Sequence, residues 1–308
     1  MSKLILGGGR FASMDYLAME TLISTAVSRG INTVDTASGY EGDEARLGDY
    51  LKKNKDSNLK IITKLGIPTV YNQNNIRLSP KIIAATLNIS LKRLGVESID
   101  TLFLHSVDSK DFTDENFEAL LKLKDAGKIQ RIGYTGDGLH MEIALKFKVL
   151  DTLMMTLNCI DQKNMQLANS LAQNQHLYIK RALGNVVWLQ RDHITLNYFR
   201  DVLAQFGWLD ENLRKAIGAK STNGFTSYMF RYQRMFGGET QLNMAEIFLN
   251  FVLSVDKVNS VLIGTTSIIN LSKLLHVEEE VERLTDSEFE VLTSLFKQYA
   301  NRTWGALT

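Results

Sequence analysis

Residues 60–105 read KIITKLGIPTVYNQNNIRLSPKIIAATLNISLKRLGVESIDTLFLH, and this stretch contains one complete strand–helix–strand unit. Its two ends are short apolar runs typical of buried strands. Between them, Ser79 and Pro80 predict the start of a helix, because serine caps helix N-termini and proline is favoured at the first helical position. Gly95 predicts the end of that helix. Two strands joined in this way pair in parallel, with the helix covering the sheet.

The same alternation of a short apolar strand and a helical segment recurs along the whole 308-residue chain. The predicted strands are Leu4–Gly8, Asn32–Ala37, Lys60–Leu65, Thr101–His105, Arg131–Thr135, Thr152–Asn158, Leu177–Ala182 and Ser260–Gly264. Eight such units in a chain of this length favour a closed barrel over an open sheet. We therefore expect an α/β protein, a (β/α)8 TIM barrel with residues 1–308 in a single domain.

Two segments depart from this alternation. Residues 183–242 follow the seventh strand and are too long for an ordinary loop, so we expect an excursion over one end of the barrel, either a lid or an extra packed layer. Residues 285–308 are expected to form a C-terminal helix and tail, because Thr285 and Glu288 have the spacing of a capping box. Trp304 in that tail either folds over the pocket or docks on the outer face of the barrel.

Composition excludes several classes of partner. The net charge of +1 creates no strong field, so neither nucleic acid nor a membrane surface is expected as a partner. Cys159 has no second cysteine to pair with and is predicted to be a buried, inert thiol, and no Cys/His spacing indicates a metal site. No signal peptide or spanning segment of about 18 apolar residues is evident, so a cytoplasmic protein is expected. The oligomeric state stays open.

Polar side chains end three consecutive predicted strands. Asp35 lies near the end of the second strand, Lys64 near the end of the third and His105 at the end of the fourth, and Tyr40 follows on the loop after the second strand. Chemistry in an α/β barrel is located at the C-terminal ends of its strands, so these four side chains are expected to meet. Lys64 lies among apolar residues, where an unpaired charge is costly, and Asp35 on the neighbouring strand is its expected partner.

This combination has a chemical use. A tyrosine hydroxyl, with a reference pKa of about 10, donates its proton poorly at neutral pH, and a nearby ammonium lowers that value. A histidine within hydrogen-bond reach orients a carbonyl or relays a proton. Each residue alone is more often a cap, a surface group or a core group. Together, Tyr40, Lys64, Asp35 and His105 are predicted to be catalytic residues that protonate a carbonyl oxygen as hydride reaches its carbon.

Several segments resemble the aldo-keto reductase superfamily, in particular its bacterial-type members with short loops. They are NTVDTASGYEG at 32–42, ITK at 62–64, LKRLGVESIDTL at 91–102, LH at 104–105, KIQRIG at 128–133, YIKRALG at 178–184 and VLIGTT at 261–266. The resemblance extends over roughly residues 3–280. It implies an NAD(P)H-dependent oxidoreductase that reduces an aldehyde or ketone, with Tyr40 as the general acid.

The resemblance also implies a set of cofactor contacts. Thr135 and Asn158 would face the nicotinamide carboxamide, Lys180 and Arg181 the pyrophosphate, and the start of the last barrel helix a phosphate. The cofactor-binding candidates are Thr135, Asn158, Lys180, Arg181, Gly264, Thr265, Thr266, Ser267 and Asn270.

Two departures from the family pattern bear on the cofactor. Thr135-Gly136 replaces the usual Ser-Asn pair, which removes one amide. Ser267 stands where relatives that prefer NADPH place a basic residue. The cofactor is therefore expected to be NADPH or NADH, with NADP(H) slightly favoured by the resemblance.

The substrate is expected to be a small carbonyl compound or alcohol. The polar segment Gly66–Leu78 is compatible with a sugar or keto-sugar, and equally with a solvated loop. The glycines after the first strand indicate close backbone packing at the barrel mouth, where Arg10 or Phe11 would border the substrate. Two alternatives stay open: a non-catalytic NADP(H)-binding regulatory barrel, and an aldolase-type barrel in which Lys64 forms a Schiff base.

Overall fold

Within residues 2–66, 76–184 and 244–300, which the computed structural model describes, eight parallel strands close into a barrel. The strands β1 to β8 are Leu4–Gly7, Thr33–Asp35, Lys60–Leu65, Ile99–His105, Ile129–Thr135, Thr152–Thr156, His176–Lys180 and Val258–Ile263. Each strand pairs with the next, and β8 pairs with β1. The predicted (β/α)8 barrel is confirmed.

Strand limits differ from the predicted ones by up to two residues. β6 ends at Thr156 and β7 at Lys180, so Asn158 and Ala182 lie in loops at the barrel mouth and not in strands. The cause at β7 is local. Arg181 has a φ of 55°, a left-handed conformation that ends the pairing with the neighbouring strands.

Helices α1 to α9 of the described residues surround the barrel or follow it. They are Tyr16–Ser28, Asp43–Lys53, Pro80–Leu94, Asp114–Asp125, Gly138–Ala144, Met165–Ser170, Met244–Leu253, Ile268–Glu280 and Asp286–Ala300. No helix in the ranges described combines the length and apolarity needed to cross a membrane. Except for its first two residues, the predicted excursion at 183–242 lies outside the described residues, as do the polar segment at 67–75 and Trp304.

The predicted helix signals are confirmed at α3 and α9. Ser79 Oγ accepts a hydrogen bond from the amide of Ile82, Pro80 opens α3, and Gly95 follows it with a φ of 67°. At α9, Thr285 N donates to Glu288 Oε2 at 2.8 Å, and Glu288 N donates to Thr285 Oγ1 at 3.4 Å. This reciprocal pair is a capping box, which satisfies amides that the first helical turn leaves free.

Two layers of side chains inside the barrel determine where the site lies. An apolar layer fills the lower interior with Ile5, Ile62, Phe103, Met154 and Tyr178. Because side chains alternate along a strand, the residues two positions later on β3, β4, β6 and β7 also point inward. They form what we call the polar layer, which consists of Lys64, His105, Thr156 and Lys180.

Gly48 supplies a test of the packing between α2 and α3. A Cβ at this position would lie 2.1 Å from the backbone oxygen of Arg93, at the end of α3. Gly48→Ala is therefore expected to destabilise the protein by about 1–3 kcal/mol through overpacking, although alanine in a helix ordinarily gains about 1 kcal/mol over glycine. Denaturant unfolding measures the difference.

Gly39→Ala is the matched control, since a Cβ there meets nothing within 4 Å. Its free energy of unfolding is expected to stay within about 0.5 kcal/mol of the original. Equal stability of the two variants would contradict the close approach of the helices.

Candidate active site

Lys64 and Asp35 form a buried ion pair at the barrel mouth. Lys64 Nζ donates to Asp35 Oδ2 at 2.5 Å and to the carbonyl oxygen of Thr36 at 2.8 Å. The side chains of Lys64 and Asp35 are only 3% and 2% exposed. Burial raises the pKa of Asp35, while the charge of Lys64 and its hydrogen bond act against that rise. The structure thus brings together the pair expected from the sequence.

Tyr40 lies on the loop after β2, and two carbonyl groups of β3 hold the start of this loop in place. The amide of Thr36 donates to the carbonyl oxygen of Ile62 at 2.8 Å, and the amide of Ser38 donates to the carbonyl oxygen of Lys64 at 3.0 Å. Lys64 Nζ lies 5.1 Å from the centroid of the Tyr40 ring. The loop therefore brings the ring next to a fixed ammonium group.

The glycines after β1 make room for this arrangement. A Cβ on Gly9 would lie 3.3 Å from the Tyr40 ring, and one on Gly8 would lie 2.8 Å from the Phe11 ring. The predicted close backbone packing is confirmed. Phe11 is 1% exposed, so of the two residues expected to border the substrate, only Arg10 reaches the surface.

Glu44 and Arg93 support the Tyr40 loop and were not predicted. Buried Glu44 accepts from Thr63 Oγ1 at 2.7 Å and from Arg93 Nη1 at 3.3 Å. Arg93 Nη1 also donates to the carbonyl of Ser38 at 3.2 Å. The only local signal was a glutamate four residues after Tyr40, on the same helical face as apolar Leu47. The partners of Glu44 are distant in sequence.

His105 faces Tyr40 across the mouth. The ring centroids are 5.9 Å apart and the planes are nearly perpendicular, at 83°. Burial, together with the positive charges of Lys64 and Lys180, lowers the pKa of His105 to about 3. The imidazole is therefore neutral at neutral pH, and its ring N–H can donate a hydrogen bond to a carbonyl oxygen without adding a third positive charge.

A pH titration tests this assignment. The His105 side-chain NMR signals, assigned with a His105→Gln variant, are expected to show no protonation between about pH 5 and pH 8. In the unfolded chain, His105 takes up a proton near pH 6.5, whereas in the folded protein it stays neutral down to about pH 3. This difference lowers the stability of the folded protein as pH falls from about 6.5 towards 3, and it has no effect on stability above that range. A His105 signal that titrates near pH 6.5 would contradict a buried imidazole whose protonated form is disfavoured by Lys64 and Lys180.

Lys180 and Asp137 form a second ion pair at the mouth. Lys180 Nζ lies 3.0 Å from Asp137 Oδ2. Asp137 also accepts from the amide of Thr156 at 2.7 Å and from Asn164 Nδ2 at 2.8 Å. It thus connects the ends of β5, β6 and β7. Sequence reasoning found Lys180 but missed Asp137, whose partners come from three separate segments.

Asn158 is engaged by the backbone. Its Nδ2 donates to the carbonyl of Arg181 at 2.9 Å, and its Oδ1 accepts from the amides of Ile160 and Asp161 at 3.1 and 2.8 Å. One Nδ2 hydrogen has no partner in these bonds. The amide therefore holds the left-handed turn at Arg181, in addition to any contact with a ligand.

The departure at Gly136 has a packing cause. A Cβ at this position would lie 2.4 Å from the hydroxyl of Tyr134, whose Oη donates to the carbonyl of Val107 at 3.3 Å. Thr135, the neighbouring candidate, is buried at the end of β5. The Tyr134 hydroxyl occupies the space that a side chain on residue 136 would need.

The start of α8 brings the last group of cofactor candidates together. Ser267 Oγ caps the helix by accepting from the amide of Asn270 at 3.3 Å, and Thr265 Oγ1 accepts from the amide of Ser267 at 3.1 Å. A Cβ on Gly264 would meet nothing within 4 Å, and both Gly264 and Thr266 are exposed. Helix N-termini attract phosphate groups, and this one contains no basic residue in its first turn.

Two buried polar atoms near Lys64 lack hydrogen-bond partners among the described residues. They are Asp35 Oδ1 and Thr36 Oγ1, an acceptor and a hydroxyl group. Unsatisfied buried polar atoms are rare, and a polar ligand at the mouth is one way to satisfy them. These two atoms and the open backbone before α8 are compatible with a polar ligand that carries phosphate groups.

No group of three or more potential metal-ligating side chains occurs in the part of the chain that the structure describes. Cys159 is buried, and burial raises its thiol pKa well above the ordinary value. The predicted burial of this thiol is confirmed, and its raised pKa disfavours the reactive thiolate form.

Comparison with known proteins gives consistent results. Residues 3–177 match the model of the aldo/keto reductase family. The chain is 34% identical to probable aldo-keto reductase 1 of Glycine max over 116 residues, and this alignment covers 37% of this chain and 34% of that protein. It is 30% identical over 176 residues to the NADH-specific methylglyoxal reductase of Escherichia coli, covering 51% and 54%. These two alignments therefore span about a third and about half of the relatives' lengths.

Longer matches have lower identity. An uncharacterized oxidoreductase of Bacillus subtilis, YqkF, is 25% identical over 289 residues, covering 90% of this chain and 87% of that protein. The solved structure of aldo-keto reductase AKR11C1 from Bacillus halodurans, in its holo form, superposes with a TM-score of 0.70 at 20% identity, covering 97% of this chain and 95% of that one. The structural similarity establishes a shared fold.

Proposed function

The chain belongs to the aldo/keto reductase family, whose members are oxidoreductases of the carbonyl-reducing kind, and we propose that it reduces a small aldehyde or ketone with NAD(P)H. The observation that carries the proposal is the buried Lys64–Asp35 pair beside the Tyr40 ring, with neutral His105 opposite. This arrangement offers one proton donor, one fixed cation and one neutral hydrogen-bonding ring at a single point.

Each of the four residues has a defined task in this proposal. The Tyr40 hydroxyl gives its proton to the carbonyl oxygen during reduction and takes one back during oxidation. The ammonium of Lys64 stabilises the negative charge that develops on the Tyr40 oxygen. Asp35 keeps that ammonium charged and fixed, and His105 orients the carbonyl oxygen by a hydrogen bond. The bound coenzyme supplies the hydride.

The coenzyme-binding part of the proposal rests on the remaining candidates. The N-terminus of α8, with Gly264, Thr265, Thr266, Ser267 and Asn270, would hold phosphate. Thr135 and the spare hydrogen of Asn158 would face the carboxamide, and Arg181 would lie near the pyrophosphate. The absence of a basic residue in the first turn of α8 leaves NADH and NADPH as alternatives. The E. coli relative is described as NADH-specific, which supports testing both forms.

The contacts of Lys64 argue against the Schiff-base alternative. A Schiff-base lysine attacks as a neutral amine, whereas Lys64 is held by a carboxylate and a carbonyl oxygen that favour the ammonium form. The regulatory alternative requires coenzyme binding but no turnover. Activity therefore separates the second alternative from the proposal, and borohydride trapping on Lys64 separates the first.

Calorimetric titration of the purified protein with NADH and with NADPH is the first experiment. We expect micromolar binding of at least one form, followed by its oxidation when methylglyoxal or a small aldehyde is added. The E. coli relative's name suggests methylglyoxal as the first probe. A folded protein that binds neither form would rule out the proposed function, and one that binds without oxidising the coenzyme across a wide carbonyl panel would favour the regulatory reading.

A further inference from the structure

Lys180 faces the same space as the catalytic candidates. Tyr178, two residues earlier on β7, belongs to the apolar layer inside the barrel, so Lys180 points inward as well. The same two-residue step leads from Ile62 to Lys64 and from Phe103 to His105. Lys180 therefore lies in the polar layer with Lys64 and His105, and its side chain is 16% exposed.

Asp137 fixes the Lys180 ammonium but neutralises it only in part. The carboxylate is held by Thr156 and Asn164, so its position is determined by the ends of β5 and β6. Its side chain is 38% exposed, more than twice the 16% of Lys180. Solvent therefore screens the negative partner more than the positive one, and the charge presented to the barrel interior is mainly positive.

The charge of Lys180 reaches the rest of the polar layer. It lowers the pKa of His105, as that of Lys64 does. Burial lowers the pKa of Lys180 itself, with smaller contributions from Arg181 and Lys64, while Asp137 acts in the opposite direction. Two ammonium groups, each with its own carboxylate, thus act on one small volume.

We propose that Lys180 makes this protein bind the reduced coenzyme more tightly than the oxidised coenzyme. The nicotinamide ring is neutral when reduced and carries one positive charge when oxidised. Reacting atoms must approach to about 3–3.5 Å, so a ring that reacts at a carbonyl held by Tyr40 and His105 shares the mouth with Lys180. Repulsion between two like charges then acts on the oxidised form alone.

This inference rests on the proposed function, and a ratio of dissociation constants tests it. Calorimetry gives the dissociation constants of NAD⁺ and NADH, and of NADP⁺ and NADPH, for the original protein and for Lys180→Met. We expect the oxidised-to-reduced ratio to exceed one in the original protein. It should fall about tenfold in Lys180→Met, because the repulsion is removed.

Three variants control the interpretation. Lys180→Arg keeps the charge and should keep the ratio. Lys124→Met removes an ammonium that pairs with Asp151 at 2.8 Å near the opposite end of the barrel, and should leave the ratio unchanged. Asp137→Asn leaves Lys180 without its carboxylate but with Lys64, Arg181 and His105 around it. Its ratio should fall as pH rises, since the ammonium loses its proton more readily.

The outcomes separate the two proposals. If neither coenzyme pair binds the original protein, the proposed function fails, and this inference fails with it. If both forms bind and Lys180→Met weakens them equally, Lys180 contacts a part common to both, such as the pyrophosphate, and only this inference is overturned. An unchanged ratio with unchanged affinities overturns it as well.

Discussion

Tyr40→Phe is expected to lower kcat for carbonyl reduction at least about a thousandfold, within the range of about 10²–10⁴ for a general acid. The affinity for NADH or NADPH should stay within about twofold, because the substitution removes one hydroxyl and keeps the ring. The ring's packing against Gly9 and its perpendicular contact with His105 are retained in phenylalanine. The loss therefore falls on the proton-transfer step and not on the fold.

Tyr50→Phe provides the matched control for this substitution. Tyr50 is a buried tyrosine on α2, and its hydroxyl lies 3.4 Å from Ser24 Oγ on α1, away from the strand ends that form the candidate site. Steady-state kinetics and calorimetry on both variants separate chemistry from binding. Full activity in Tyr40→Phe, with Tyr50→Phe also active, would show that another group supplies the proton.

Lys64→Met should affect both activity and stability. It leaves the Asp35 carboxylate buried without its cation, and breaking a buried pair in this way costs about 3–5 kcal/mol of unfolding free energy. We also expect kcat to fall at least about a hundredfold, since the charge beside the Tyr40 ring is lost. Denaturant unfolding and turnover are measured on the same preparation.

The double variant Lys64→Met with Asp35→Asn separates the two effects. Removing the carboxylate charge as well should recover most of the lost stability, because no uncompensated charge remains in the interior. Activity should stay low in the double variant. Recovery of activity together with stability would mean that Lys64 has only a structural role.

The sequence was sufficient to predict the barrel and the residues that meet at the centre of the candidate site. Asp35, Lys64 and His105 each end an apolar strand, and parallel strands in a barrel bring their C-terminal ends to one face. The expected ion pair between Asp35 and Lys64 followed from the cost of an unpaired charge among apolar neighbours. These inferences depend on local pattern and on the topology alone, which explains why the structure agrees with them.

The supporting residues were beyond sequence reasoning because their roles depend on tertiary contacts. In the sequence, Asp137 is one acidic residue before a predicted helix. Only the structure shows that it contacts Thr156, Asn164 and Lys180. Likewise, no sequence pattern predicts that both Nδ2 and Oδ1 of Asn158 form hydrogen bonds with backbone groups.

Transfer of deuterium tests the central claim most directly. The protein is incubated with a carbonyl substrate and coenzyme that carries deuterium at the transferring position, and the alcohol product is analysed by mass spectrometry and NMR. We predict one deuterium on the former carbonyl carbon, with the product formed at least about a thousandfold more slowly by Tyr40→Phe. An alcohol without deuterium at that carbon, or a substrate adduct trapped on Lys64 by borohydride, would contradict hydride transfer as the function of this site.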